Sequence, residues 1–440
     1  MMAGGGRLAL LALLARGDGL SRAALEGFRD AQLRRLVAHA AERVPYYRRL
    51  FDRHGVRPET IRTAADLGRL PMVSRADLQG AAPEDVVARG CDPARLITHR
   101  TSGSSGRPLA IRRTWLEERM YSLLRYRALR RLGLRTSDRR VYIGLLRPVH
   151  ARNSQALQRL LRAAGLFRRQ EIDCRRPATD ILATLRRLQP DVVTGYPGVL
   201  SRIAGQLTSD DRRRLPTRLV LTGAEVLTPL VRRHIAEAFG ALVLETYASY
   251  EAPALAWQCA ATGAFHVAEE GVILEVIADG RRPAQPGEAG EVVVTALHSF
   301  AMPFIRYRLG DLVTRGETPC RCGAQRATIQ TIQGRMLDYF PLANGRTVHP
   351  LEIISVISDS ADRWLAQYQL TQERPDHLVM RVVPKVAPLP AELEQVEALV
   401  LAAIGPGITL ELRLVREIEL DANGKFRLSR SLLAAPDGCS

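Results

Sequence analysis

Lysine is almost absent from this chain of 440 residues. Of its 63 lysines and arginines only two are lysines, Lys385 and Lys425. Aromatic residues are also few, at 5%, so no aromatic cluster outlines the shape of a ligand. An ammonium is a compact charge with three rotatable donors, whereas a guanidinium is broad and planar. The stretch DANGKFRLSR therefore raises the question of what Lys425 supplies that an arginine could not.

Cysteine is also scarce, and long apolar runs are missing. Six cysteines in a chain of this size are too few for a disulfide framework, which favours a reducing cytoplasm. The apolar run LALLALLA at residues 8–15 is short for a signal peptide, and no clear cleavage site follows it. It is far too short to cross a bilayer. We therefore expect a cytoplasmic protein.

Positive charge is abundant, with a formal net charge of +17. The arginines are scattered in pairs along the chain and form no single basic tail. No zinc-finger spacing and no aromatic ribonucleoprotein motif accompanies them, so we expect no nucleic-acid partner. We interpret the positive charge as attracting anionic ligands. Contact with a membrane is expected to be at most peripheral. The sequence carries no signal of oligomeric state.

The order of predicted elements indicates an α/β fold. From about residue 90 to 300, β-rich runs such as RRVYIGLL and RLVLTGA alternate with helical runs, which predicts a mostly parallel sheet covered by helices. GVILEVIA and GEVVVTAL add a β-rich subdomain. After about 340 the pattern becomes helix, two strands, helix, strand, typical of a small α+β domain. We predict a large domain at 1–337 and a small mobile lid at 338–440 that carries Lys425.

The clearest local motif is THRTSGSSGRPLAI at residues 98–111. Small hydroxyl residues and glycines let backbone N–H groups approach phosphate oxygens closely. No Gly-Lys-Ser/Thr closes the loop, so it is not a Walker motif, and an ordinary flexible turn is the alternative. The candidate phosphate-binding residues are Thr101, Ser102, Gly103, Ser104, Ser105 and Gly106.

Four further motifs follow in chain order: TGAE at 222–225, ETYASYEAP at 245–253, FIRYRLGDLV at 304–313 and IQGRMLDYF at 332–340. With these motifs and Lys425, the chain resembles the AMP-forming adenylating enzymes, which include acyl-CoA synthetases, luciferases and the adenylation domains of peptide synthetases. More narrowly it resembles the phenylacetate–CoA ligase branch and its capsule-cluster relatives. The opening ERVPYYRRLF, the MPFIRYRLGD form and CRCG fit that branch. The resemblance covers about residues 30–430.

The resemblance implies how ATP is bound. The loop from Thr101 to Gly106 would hold the β- and γ-phosphates. Glu251 would bind Mg²⁺, which prefers carboxylate and phosphate oxygens. Asp311 would accept hydrogen bonds from both ribose hydroxyls. The residues that would lie along the adenine are Gly223, Ala224, Glu225 and Tyr247.

The resemblance also implies the moving parts. Arg335 would contact the ribose or a phosphate, and Asp338 would be the hinge of the small domain. Lys425 would lie between the attacking carboxylate and the α-phosphate in the adenylation pose. The predicted catalytic residues are therefore Lys425, Glu251 and Arg335.

One segment departs from the family pattern. The residues before Glu251 usually read Tyr-Gly-x-Ser/Thr, but here they read Tyr247-Ala248-Ser249-Tyr250. Ala248 and Tyr250 would crowd the acyl side of the site. The acid is therefore not readable from the sequence, and the candidate acyl-pocket residues are Tyr142, Tyr196, Pro197, Ser249 and Tyr250.

Three cysteines and one histidine form a second constellation: Cys259, His266, Cys320 and Cys322. Three thiolates and one imidazole make a proper structural zinc set, although the spacings are looser than in a zinc finger. Reduced structural cysteines beside a surface histidine are the alternative. Some members of the resembled branch have a metal at matching positions, which favours a structural zinc in a subdomain at 255–325.

The predicted function is an ATP-dependent, AMP-forming carboxylic acid ligase. An aryl or other organic acid would become an acyl-AMP, and the thiol of coenzyme A would then take the acyl group. Transfer to an amine or another non-CoA acceptor is the alternative. An inactive basic module with a ligase fold, bound to membrane surfaces through segments such as RMYSLLRYRALRRLGLR, is an alternative of a different class.

Overall fold

The computed structural model describes residues 21–100, 109–146, 165–335, 340–348, 353, 357, 361, 363–421 and 425–433, with Arg335 described by its backbone alone. Its α-helices are α1 (Arg22–Arg43), α2 (Pro45–Arg53), α3 (Arg75–Gly80), α4 (Trp115–Arg131), α5 (Ala178–Leu188), α6 (Pro197–Ala204), α7 (Ser209–Arg214), α8 (Pro229–Phe239) and α9 (Pro390–Ile404). Short 3₁₀ helices lie at Pro58–Thr60, Ala64–Arg69 and Pro93–Arg95.

The strands are β1 (Ile97–Arg100), β2 (Ala110–Arg113), β3 (Arg140–Gly144), β4 (Arg169–Asp173), β5 (Val192–Gly195), β6 (Leu219–Gly223), β7 (Leu242–Tyr247), β8 (Ala256–Gln258), β9 (Phe265–Val267), β10 (Val272–Ala278), β11 (Arg282–Pro283), β12 (Ala289–Ala296), β13 (Tyr307–Arg315), β14 (Thr328–Arg335), β15 (Phe340–Pro341), β16 (Thr347–Val348), β17 (Leu365–Arg374), β18 (His377–Pro384), β19 (Thr409–Leu414) and β20 (Ser429–Ser431). Across the described ranges, none of the helices combines the length and apolar content needed to cross a bilayer.

The chain divides into two units, and unit 1 contains Met1–Leu132 and Thr246–Gln333. Its strands lie in the order β11-β10-β12-β13-β14-β9-β8. The register is antiparallel between β10 and β12, between β12 and β13, and between β8 and β9. These strands confirm the β-rich region predicted from GVILEVIA and GEVVVTAL.

The N-terminal helices pack on that sheet because their apolar positions recur with helical spacing. Leu33, Leu36 and Val37 of α1 are buried in one core with Tyr47 of α2 and with residues of β10, β12 and β13. Pro45 starts α2 at a position where its missing N–H group costs nothing. The segment HAAERVPYYRRLF therefore forms the end of α1 and most of α2.

Unit 2 contains Gly133–Glu245 and Gly334–Ser440. Its first part is a parallel sheet in which β3 pairs with both β4 and β5, and β5 pairs with β6. Helices α5, α6 and α8 bury their apolar faces against these strands in one core. The mostly parallel, helix-covered sheet predicted from the alternating pattern is confirmed here.

The C-terminal part of unit 2 is a small α+β structure. Its sheet has the order β19-β18-β17-β20, with β17 and β18 antiparallel and the two outer pairs parallel. Trp364, Tyr368 and Val400 are buried in its core, and Leu230 of α8 belongs to the same core. The predicted small α+β part is confirmed. The division of the chain at residue 337 stays a prediction, and the LALLALLA run lies outside the described residues.

Candidate functional site

In unit 1, Tyr247 and Asp311 meet through their side chains. Tyr247 is the last residue of β7 and pairs with Ala256 of β8. Its hydroxyl donates a 2.6 Å hydrogen bond to Oδ2 of Asp311. Two residues that the sequence predicts for one nucleotide, in motifs 64 residues apart, are therefore in direct contact.

A bulge in β13 positions Asp311. On β12, Glu291 pairs with Leu312 and Val293 pairs with Arg308, so the three residues 309–311 of β13 face one residue of β12. Gly310 within this bulge has a φ of 74°, which glycine adopts without a steric penalty. The Gly-Asp pair in the motif thus has a structural reason, since the glycine lets the strand bulge immediately before the carboxylate.

Glu251 lies in the loop that follows β7. The residue is buried, with 7% of its surface exposed, and the hydroxyl of Tyr307 donates a 3.3 Å hydrogen bond to its Oε1. The Oγ of Ser249 accepts a hydrogen bond from the Ala252 N–H at 3.0 Å, which closes the loop. The loop is therefore closed around Glu251, and the first residue of β13 contacts the carboxylate.

The neighbouring Tyr250 has an exposed ring, with 37% of the residue accessible. Its backbone carbonyl accepts a hydrogen bond from the guanidinium of buried Arg113, which also pairs with Glu118 at 3.2 Å. Nearby arginines and His99 lower the pKa of Glu118, so this anchor stays charged. Sequence reasoning missed Arg113 because it is one of many arginines.

The predicted zinc ligands Cys259, His266, Cys320 and Cys322 come together in unit 1. One ligand atom from each lies within 4.8 Å of the others. Their backbones converge because β8 and β9 form a hairpin, and β14, which follows the Cys-x-Cys turn, pairs with β9 at Thr328 and His266. Cys322 Sγ lies 3.4 Å from Nε2 of His266, and the five cysteines within the described ranges are free thiols.

In unit 2, Lys425 reaches the end of strand β6. Its Nζ donates a 3.3 Å hydrogen bond to the carbonyl of Ala224 and lies 5.8 Å from the ring centroid of Tyr196. Ala224 follows Gly223, the last residue of β6, and has a φ of 69°. A left-handed backbone at an alanine is uncommon, and such strain is often found at functional sites. Two motifs 201 residues apart in sequence thus meet.

The loop that carries Lys425 is closed by Asp421. The Asp421 N–H donates to the Lys425 carbonyl at 2.7 Å, and the Lys425 N–H donates to Oδ1 of Asp421 at 3.0 Å. This reciprocal pair fixes the two ends of the loop to each other. Sequence reasoning did not single out Asp421.

Glu225 also contacts this loop, which the sequence did not indicate. Its Oε1 accepts a 2.7 Å hydrogen bond from the Phe426 N–H, and its Oε2 accepts one of 2.9 Å from the Gly198 N–H. Desolvation of the carboxyl group raises the pKa of Glu225 to about 7. The two backbone hydrogen bonds act in the opposite direction.

The other predicted site residues are divided between the units or lie outside the described residues. Tyr142 is half-buried on β3, with the Arg169 guanidinium carbon 5.0 Å from its ring centroid, and Tyr196 and Pro197 start α6. Ser249 and Tyr250 belong to unit 1, so a single acyl pocket stays a prediction. Thr101, Ser102, Gly103, Ser104, Ser105, Gly106 and Asp338 lie outside the described residues, as does the side chain of Arg335.

The fold is that of the AMP-forming acyl-CoA ligases. The crystal structure of a 2-hydroxyisobutyryl-CoA ligase in complex with 2-HIB-AMP aligns with a TM-score of 0.74 and 22% identity, over 92% of this chain and 89% of that chain. The phenylacetate–coenzyme A ligase of Thermus thermophilus is 26% identical over 358 residues, which is 77% of this chain and 76% of that relative.

The protein CapK of Staphylococcus aureus is 30% identical over 161 residues, 35% of this chain and 33% of CapK. No protein-family model matches the chain. The resemblance to the AMP-forming adenylating enzymes, and within them to the phenylacetate–CoA ligase branch with its capsule-cluster relatives, is confirmed by these similarities.

Proposed function

We propose that this chain is an ATP-dependent, AMP-forming ligase that activates a carboxylic acid and transfers the acyl group to coenzyme A. The observation that carries the proposal is the contact between Lys425 and Ala224, because it joins the rare lysine to the TGAE motif. The ligase fold and the similarity to phenylacetate–CoA ligases over most of the chain support the same function.

The reaction would proceed in two displacements. A carboxylate oxygen of the acid attacks the α-phosphorus of ATP, and pyrophosphate leaves, giving acyl-AMP. The thiol of coenzyme A then attacks the acyl carbon, and AMP leaves with the electrons of the broken anhydride bond. The protein's contribution to such transfers is positioning and the neutralisation of phosphate charge. Lys425 would supply a cation for the first displacement.

Asp311 would bind the ribose hydroxyls. An ionised carboxylate has two oxygens and accepts from both hydroxyls, while Tyr247 holds one of those oxygens in place. The roles of Gly223, Ala224 and Glu225 along the adenine, and of Arg335 at the ribose or phosphate, follow from the resemblance and complete the proposed nucleotide contacts.

Glu251 would hold Mg²⁺. A single buried carboxylate suits this ion, because Mg²⁺ is usually bound by one or two carboxylates together with substrate phosphates and water. When bound, the ion would neutralise phosphate charge. The hydroxyl of Tyr307 would help to orient the carboxylate through its hydrogen bond to Oε1.

We also propose a structural zinc at Cys259, His266, Cys320 and Cys322. The four ligand atoms lie close enough for one tetrahedral Zn²⁺, whose bonds to sulfur are about 2.3 Å long and to imidazole nitrogen about 2.0 Å long. Four protein ligands leave no open position, so the ion would join the β8–β9 hairpin to the turn before β14. The cytoplasm would keep these thiols reduced, and we propose that location.

The alternative of a membrane-surface module is disfavoured by helix α4. Tyr121 and Leu124, two of the apolar residues of RMYSLLRYRALRRLGLR, are buried with Ala254 inside unit 1 and so are not available to lipid. Transfer to an amine or another non-CoA acceptor stays the alternative, because the residues of the site do not identify the acceptor of the acyl group.

The deciding experiment is ATP–pyrophosphate exchange with a panel of aryl, fatty and hydroxy acids, using a Lys425→Ala variant as the control. We expect acid-dependent exchange by the wild type alone. AMP release that requires coenzyme A would then identify the thiol acceptor, whereas AMP release with amines in its place would favour transfer to a non-CoA acceptor. A wild type that exchanges with none of the acids would contradict the proposed function.

A further inference from the structure

The backbone next to Lys425 is held by hydrogen bonds to Asp421 and to Glu225. The proposed reaction does not by itself explain these two contacts. From this geometry we infer that Glu225 is a positioning residue for Lys425, and that Glu225 and Gly198 together form the seat on which the lysine loop docks for adenylation. The inference rests on the proposed function in one respect, the assignment of Lys425 to the first half-reaction.

Glu225 bridges two segments that are far apart in sequence. One carboxylate oxygen accepts from the Phe426 N–H, and the other accepts from the Gly198 N–H in the first turn of α6. Both hydrogen bonds favour the ionised form of the carboxyl group against its desolvation, and a carboxylate is favoured at a helix N-terminus. One side chain therefore ties the residue after Lys425 to the start of a helix.

Gly198 leaves the room that this contact needs. A Cβ atom at position 198 would lie 2.1 Å from Cβ and 2.7 Å from Cγ of Phe426. It would also lie 3.2 Å from Oε2 of Glu225. Phe426 is buried, with 8% of its surface exposed, so it has little room to move away. Any side chain at position 198 would therefore push the loop off its seat.

The seat determines where the ammonium of Lys425 can lie. Asp421 is tied to Lys425 by one hydrogen bond between their backbones and by a second one from the Lys425 N–H to the Asp421 side chain. Fixing the Phe426 N–H fixes the adjacent Lys425, and its Nζ then reaches the Ala224 carbonyl, one residue before Glu225. The same short segment thus receives both the backbone and the side chain of the lysine loop.

The test compares two glycines of the same helix. Gly198→Ala places a methyl group inside the seat, whereas Gly205→Ala at the C-terminal cap of α6 meets its nearest neighbour at 3.7 Å, an ordinary contact. We expect Gly198→Ala to lower ATP–pyrophosphate exchange by about 10²-fold, the effect of misplacing a reacting group by about 1 Å. Thioester formation from synthetic acyl-AMP and coenzyme A should stay near the wild-type rate. Gly205→Ala should resemble the wild type in both half-reactions.

Substitutions at Glu225 test its hydrogen bonds to Phe426 and Gly198 without adding a larger side chain. Glu225→Ala removes both acceptors and should lower the maximal rate of the first half-reaction far more than the maximal rate of thioester formation at saturating acyl-AMP, because the loss of an adenine contact would raise KM in both half-reactions. Glu225→Gln keeps one acceptor oxygen and should recover part of the loss. Equal losses in both half-reactions would show a merely structural role, and full first-half activity of Glu225→Ala would overturn the inference.

A double variant tests the contact itself. Phe426→Gly removes the two atoms that the new methyl group would approach within 3 Å and leaves only Oε2 of Glu225, at 3.2 Å, so Gly198→Ala should cause a much smaller further loss in that background. If the two substitutions lower ATP–pyrophosphate exchange independently, so that their fold-losses multiply in the double variant, the proposed clash between position 198 and Phe426 is wrong.

Hydrogen exchange separates this inference from the proposed function. The amide of Phe426 should be protected in the wild type and lose protection in Glu225→Ala, whether or not the protein makes acyl-AMP. One outcome is that the wild type shows no ATP–pyrophosphate exchange with any acid while the Phe426 amide is protected as expected. In that case the proposed function is wrong, and the inference about Glu225 and Gly198 still holds. An unprotected Phe426 amide in an active wild type would overturn the seat alone.

Discussion

The hydroxyl of Tyr247 lies 2.6 Å from Oδ2 of Asp311 and donates a hydrogen bond to it. The tyrosine ends β7, and the aspartate follows the bulge of β13. A carboxylate with one oxygen already bonded has a fixed orientation before a nucleotide arrives. The contact therefore preorganises the proposed ribose acceptor, which lowers the entropic cost of binding.

Asp311→Ala should raise the KM for ATP strongly. The variant leaves the ribose hydroxyls without their acceptor, and a charge-assisted hydrogen bond of this kind contributes about 2 kcal/mol or more. That free energy corresponds to a rise of roughly 30-fold in KM, measured by exchange at saturating acid.

Tyr247→Phe is the matched control for this pair, because it keeps Asp311 and removes only its orienting donor. We expect a rise in KM for ATP of about tenfold or less, the effect of one neutral donor. An active Asp311→Ala enzyme with unchanged ATP dependence would refute the ribose assignment.

The sequence motifs indicated the positions of Glu225 and Glu251 after strands, because each follows a recognisable β-rich run, and the roles of these acids stay predictions. TGAE ends β6, and Glu251 lies just beyond β7, as the β-rich runs before them indicate. The sequence also grouped Cys259, His266, Cys320 and Cys322, and the fold brings these four side chains together, while a zinc ion there stays a proposal. The contact between Tyr247 and Asp311 could not be predicted from the sequence, because it depends on a bulge in β13.

The seat at Gly198 could not be predicted from the sequence for a different reason. Its donors are backbone N–H groups, which every residue except proline carries, so the pattern of side chains contains no signal of them. Gly198 follows a proline in a YPG segment that reads as a turn. Glu225 was predicted for the adenine through resemblance, and its contact with Phe426, 201 residues away, needs the folded chain.

Purified protein should contain about one zinc per chain, measured by elemental analysis. The double variant Cys320→Ser with Cys322→Ser should lose metal and thermal stability together, because a structural zinc contributes its binding free energy to folding. Cys91→Ser, a cysteine outside the cluster, should keep its zinc. A wild type that is stable without any metal would contradict this proposal.

The stability of unit 1 should depend on the protonation of His298. Burial lowers the pKa of this histidine from 6.5 to about 4, while its Nε2 lies 2.8 Å from the Glu270 carbonyl. The neutral form is favoured in the fold, so the unfolded chain binds the additional proton. Burial of the neutral His298 therefore costs no stability above pH 6.5. The free energy of unfolding should fall by about 3 kcal/mol as the pH falls from 6.5 toward 4.

Denaturant unfolding between pH 4 and pH 7 measures this dependence. His298→Gln should make the free energy of unfolding less dependent on pH in that range. His54→Gln, at an exposed histidine, should leave the pH dependence unchanged. Identical pH slopes for wild type and His298→Gln would show that other groups control acid stability.

The last prediction concerns the lysine at position 425. In the proposed adenylation step two oxyanions meet, the acid's carboxylate and the α-phosphate, and negative charge develops on the phosphate. An ammonium with three rotatable donors can contact both oxygens at once, whereas a planar guanidinium is broader and would displace one of them. Lys425→Arg keeps the charge and should still lower acyl-AMP formation by about 10²-fold, the effect of removing a positioned transition-state donor.

The chain's other lysine supplies the control for that experiment. Lys385 lies 3.9 Å from Glu237 in a partly exposed ion pair, and such pairs contribute little, so Lys385→Arg should adenylate like the wild type. Both variants should convert synthetic acyl-AMP and coenzyme A to thioester at nearly the wild-type rate, because Lys425 is proposed to act before that step. Adenylation by Lys425→Arg at close to the wild-type rate would show that the position needs a positive charge rather than a lysine.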